Sequence, residues 1–130
     1  MVKIKILTNN DRVYDLMNDQ NYDCDFLEGS AVAVIKEATQ MMLMHGWRLA
    51  SDPLAGYNSR LNPYHTIFLQ LTPDTDAKFD ISRFENLICR WQKCPAIPNA
   101  STSIYADFKQ LDLSIAKHTS EQLFKYGVYE

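Results

Sequence analysis

The first 46 residues switch three times between two hydrophobic periods, which restricts the architecture more than any other feature of the chain. Val2, Ile4 and Ile6 alternate with Lys3 and Lys5, the two-residue period of a strand with one face on a core. That strand should stop at Thr8. Asn10 and Asp11, good helix-capping residues, precede Val13, Leu16 and Met17 at i, i+3 and i+4, so a short helix to about Gln20 follows. A brief second strand is expected over residues 24–27. Ser30, after Glu28 and Gly29, opens the clearest helix. Ala31, Val34, Ile35, Ala38, Met41, Met42 and His45 share one face, Lys36, Glu37 and Gln40 lie opposite, and Gly46 ends it.

Residues 47–50 read as a third strand and TIFLQL, residues 66–71, as a fourth, whose near-continuous apolar character suits a central position. Phe84, Leu87, Ile88 and Trp91 are spaced for one face of a helix over 81–91, and Pro95 and Pro98 break it. Residues 104–113 carry both periods; an irregular link through 107–112 and then a helix ending near Gly127 are expected. Alternating strands and helices imply an α/β fold with a small, mostly parallel sheet of about four strands and flanking helices. With 130 residues, 46% of them apolar, residues 1–130 suffice for a single domain with one core.

A net charge of -3 and a pI near 5.5 argue against a nucleic-acid partner. No apolar run approaches the roughly 20 residues of a bilayer span, so no membrane association is expected and the chain reads as cytoplasmic. Cys24, Cys89 and Cys94 lack CxxC spacing, which fits reduced thiols rather than a disulfide framework or zinc site. His45, His65 and His118 have no metal-ligand partner at the usual spacing. GxGxxG, the P-loop, GxSxG and HExxH are all absent, so neither a metal nor a cofactor is expected.

Ligands in open α/β sheets gather outside the carboxyl ends of strands, where loops diverge and helix N-termini present free N–H groups. Three polar clusters fall at such places. Thr8, Asn9 and Asn10 follow the first strand and offer a hydroxyl and amides. Gly29 and Ser30 follow the second and could face an anion, although Glu28 beside them would repel it. The stretch SDPLAGYNSRLNPYH, residues 51–65, follows the third. It holds Asp52, Pro53, Gly56, Arg60, Asn62 and Tyr64, and about 15 residues are more than a plain connection needs. Arg60 could clamp a carboxylate or phosphate, and Tyr64 could stack on a ligand. Simpler roles in capping and turn formation compete at every one of these positions.

Together these segments resemble the GrdX family, small proteins associated with glycine reductase operons in amino-acid-fermenting anaerobes. The resemblance is carried by Thr8, Asn9 and Asn10, by Glu28, Gly29 and Ser30, by Gly46, Arg48 and Leu49, by Pro53, Leu54, Ala55 and Gly56, and by Asn62, Pro63 and Tyr64. It departs at Asp52, where the family pattern has His, at Tyr57 in place of Ser, and at Arg60 and Leu61 in place of a Lys-Pro pair. It supports the position of a site and assigns it no chemistry.

The expected function is that of an accessory protein of amino-acid metabolism that binds a small molecule or a protein partner at the carboxyl ends of the strands. One alternative is an enzyme using Asp52 as acid/base beside an Arg60 clamp. Another is a scaffold or homo-oligomerisation module, since Leu43 and Met44 fall outside the main apolar stripe of their helix.

Overall fold

The structure, a computed structural model, describes residues 3–51, 62–71, 81–82, 85–86 and 102–125. Its elements run β1 (Lys3–Thr8), α1 (Asp11–Asp19), β2 (Cys24–Phe26), α2 (Ala31–His45), β3 (Arg48–Leu49), β4 (Thr66–Leu71) and α3 (Thr102–Ser120), which continues into a π-helical turn, Glu121–Lys125. The strand order is β2-β1-β4-β3.

The expected parallel sheet is a mixed one. β1 and β2 are parallel, as a strand–helix–strand unit requires. β4 enters between β1 and β3 and runs antiparallel to both. β1, β2 and β3 therefore still end on one rim, and β4 begins there, with Thr8 opposite Thr66.

Side-chain alternation divides the apolar residues between two layers. Leu7, Ile67 and Leu69 face Ala31, Val34, Ile35, Ala38 and Met42 of α2. Ile4, Ile6 and Phe68 face Val13 and Met17 of α1, together with Ala116 of α3 and Leu123 beyond it. Because β1 and β4 are covered on both sides, Ile6, Leu7 and Leu69 are wholly buried. Lys5 joins the parallel pair through contacts with Asp23 at 2.9 Å and Asp25 at 3.0 Å.

Most boundaries follow the sequence patterns. Asn10 caps α1, its side chain accepting from the Arg12 N–H, and Gln20 closes that helix. Gly46 ends α2 in the left-handed region with φ 74°. The carboxyl-terminal part differs. In place of an irregular link over 107–112, α3 is continuous from Thr102 to Ser120. Its inward positions, Asp112, Ala116 and Ser120, recur every four residues, so the stripe that docks it begins with a carboxylate. Of the helix expected over 81–91, residues 81–82 and 85–86 are helical and the rest lie outside the described residues, as do Cys89 and Cys94.

Cys24 is half-buried, and burial, helped by the charges of Asp25 and Asp23, pushes its thiol up to about 12, which leaves little thiolate at neutral pH. Among the described residues no helix is long and apolar enough to cross a membrane.

At Gly46 a side chain would have to adopt the left-handed conformation. Gly46→Ala is expected to lower unfolding stability by about 1 kcal/mol, read as a shift in the urea midpoint without a change in slope.

Candidate functional site

Thr8, Asn9 and Asn10 leave β1 at the rim, and all three are buried. Asn9 Nδ2 donates to the Gly29 carbonyl at 2.9 Å and to the Pro63 carbonyl at 2.8 Å, while its Oδ1 accepts the His65 N–H at 2.8 Å. One carboxamide thus joins the end of β1, the segment before α2 and the segment before β4. Gly29 reaches this position with φ 121°, where side chains are strained, and Ala33 Cβ would lie 3.4 Å from an added Cβ.

Asn10 points to the other layer. Its Nδ2 donates to the Lys109 carbonyl at 2.9 Å and to Asp112 Oδ2 at 3.1 Å, and its Oδ1 accepts from the Arg12 N–H at 3.2 Å. Thr66 Oγ1 also donates to Asp112 Oδ2, at 2.9 Å. The Thr8 and Thr66 hydroxyls are 2.9 Å apart, and Thr8 Oγ1 accepts the Asn10 N–H at 3.1 Å and lies 3.4 Å from the His65 carbonyl oxygen. The Asp112 carboxylate lies beside the capping residue of α1, at the end of that helix that favours negative charge. Asn62 adds a second tie to α3, donating to the Phe108 carbonyl at 3.1 Å and accepting the Tyr64 N–H at 2.9 Å.

Outside this buried network lies an open cleft of about 360 Å³ lined by Arg12, Tyr64, Tyr105, Ala106 and Lys109. Arg12 is exposed at the start of α1. Lys109 Nζ lies 2.8 Å from Asp11 Oδ1 and 5.3 Å from the centroid of the Tyr64 ring. The Lys109 hydrogen bond holds the Asp11 carboxyl below the usual carboxylate range. The cleft thus presents two cationic side chains and two phenol rings, with one of the cations, Lys109, paired to Asp11.

The sequence matches the family described as GrdX-like protein over residues 5–121. The chain belongs to the GrdX-like protein family. No curated protein and no solved structure matches it.

In this GrdX-like chain the residues that carry the resemblance around the rim are also those tied together within it. Thr8, Asn9, Asn10, Gly29, Asn62 and Tyr64 converge there. The polar groups of Asn9 and Asn10 are spent on internal hydrogen bonds, and Tyr64 is the member of this set that lines the cleft. Ser30 is exposed at the start of α2 and makes no side-chain cap bond. Asp52, Pro53, Gly56 and Arg60 lie outside the described residues, and with them the proposed acid/base pair.

Sequence reasoning missed Arg12, Lys109, Tyr105, Thr66 and Asp112. The signal for Asp112 was its four-residue spacing to Ala116 and Ser120, legible only once 107–112 is read as helix. Among the described residues no group of three or more His, Cys, Asp or Glu side chains could hold a metal.

Two measurements test this network. Asn9→Asp keeps the size of the side chain but turns an amide that donates to two carbonyls into a carboxylate that repels them. It is expected to cost about 3 kcal/mol or more of unfolding stability, read by urea denaturation at pH 7. His65 is buried, and desolvation holds its pKa down to about 4. Between that value and the unfolded one of about 6.5, the unfolded chain binds a proton that the folded chain does not, so stability rises with pH. The His65 contribution is a loss of up to about 1.4 kcal/mol per pH unit as pH falls through this window. His65→Gln should flatten the stability profile between pH 6.5 and about pH 4.

Proposed function

We propose that the protein is a binding module for a small anionic ligand, seated in the cleft of Arg12, Tyr64, Tyr105, Ala106 and Lys109. The observation that carries this reading is the meeting of two cationic side chains and two phenol rings in one cleft beside the strand rim. Its volume of about 360 Å³ falls in the range of small-molecule sites.

In this reading Thr8, Asn9, Asn10, Gly29 and Asn62 act as the frame. They fix the start of α1, the segment before β4 and the middle of α3, and those elements supply Arg12, Tyr64 and Lys109. Rigid support of this kind limits the ordering that binding requires. Ser30, Asp52 and Arg60 are proposed as further ligand contacts, on the strength of the sequence alone. Amino-acid metabolism is the setting that the family resemblance suggests.

A thermal-shift screen over amino acids, carboxylates, phosphates and nucleotides tests the reading. Anions of at least one class should raise Tm, and Arg12→Ala should weaken the best of them by roughly fivefold or more while leaving the ligand-free Tm unchanged. A flat response across the screen would sink the proposal.

A further inference from the structure

Lys109 is held at both ends by the start of α1. Its carbonyl accepts from Asn10 Nδ2 at 2.9 Å, and its ammonium is 2.8 Å from Oδ1 of the next residue, Asp11. The two members of this ion pair are unequally covered: the Lys109 side chain is 27% exposed and that of Asp11 61%. The cation is therefore built into the cleft wall beside Tyr64, while the carboxylate that neutralises it stands in water. An anion entering the cleft reaches the exposed Arg12 directly but meets a Lys109 whose charge Asp11 already offsets.

Resting on the reading that this cleft binds an anion, we propose that Asp11 is a resident competitor for Lys109. It thereby selects a carboxylate carried on a flat apolar body over a bare anion. Exchanging one carboxylate for another on a partly exposed ammonium gains little net Coulomb energy. A bare anion is left with Arg12 and a Lys109 already paired to Asp11. A ligand that also lays a planar body against Tyr64 and Tyr105 gains contacts that Asp11, with its short side chain, cannot offer. Asp11 thus sets a threshold that charge by itself does not clear.

The test is an NMR titration of the full chain at low salt with sodium benzoate and, separately, sodium acetate, on the wild type, Asp11→Asn and Asp19→Asn. Asp19 is exposed at the far end of α1, so its variant makes the same change in net charge away from the cleft. Benzoate should shift the Tyr64, Tyr105 and Lys109 signals to saturation, and acetate at equal concentration should not saturate them. Asp11→Asn should tighten benzoate binding by about two- to fivefold relative to Asp19→Asn. Asp11→Ser, which also suits a helix start, gives the same comparison should Asp11→Asn perturb folding.

Equal affinities in the Asp11 and Asp19 variants, or acetate binding as tightly as benzoate, would overturn the competitor role while leaving anion binding intact. Absence of any shift in the wild type and in both Asp11 variants would overturn the selection of a carboxylate on a flat body, and the binding reading falls with it only if the thermal-shift screen is flat as well.

Discussion

The carboxamide of Asn9 is the joint on which the strand rim depends, because three chain segments meet on its three hydrogen bonds: to the Gly29 carbonyl, the Pro63 carbonyl and the His65 N–H. No other residue type of that size offers two donors and an acceptor in one plane. Without it, three backbone groups at this junction would lose their partner, at a cost that apolar packing there could not offset. Asn10 does for the opposite layer what Asn9 does for its own. Consecutive residues leaving a strand point to opposite faces, so one amide ties the rim to the start of α2 and the next ties it to α3.

Asp112 extends this logic to a buried carboxyl group. A buried carboxylate adds little net stability, since the loss of hydration offsets its hydrogen bonds. Its value lies in discrimination. A shift of α3 along α1 would move Asp112 Oδ2 away from Asn10 and Thr66. These polar contacts accompany the register that places Lys109 and Tyr105 beside Tyr64, and apolar burial of Ala116 and Leu123 supplies the adhesion.

The first half of the fold was legible because each segment has a single dominant period and conventional caps: Asn10 for α1, and Ser30 and Gly46 for α2. The direction of β4 was not. A two-residue period fixes which side chains share a face but carries no arrow, and the long segment between residues 51 and 62 is compatible with either sense of crossing. Nor was α3, where the usual pattern is inverted at the critical turn. Leu111 is 39% exposed and the adjacent Asp112 is 1% exposed, so a hydrophobic reading of 107–112 finds no consistent face. The rim could be located because strand ends are recognisable. Of its cleft residues Tyr64 could be named, but Arg12 looks like an ordinary surface cation and Lys109 and Tyr105 lie on the helix whose pattern is inverted.

The mixed sheet also bears on how the protein is made. β1 can close its parallel pairing with β2 as soon as α1 has turned the chain, but its other edge waits for β4, whose Thr66 lies 58 residues beyond Thr8. At ordinary rates of synthesis that edge stays open for on the order of several seconds. A bare strand edge is a template for pairing with another chain, and lysines along it discourage such pairing. The KIK sequence that opens β1 places two lysines on the strand whose second edge closes last in the order of the chain.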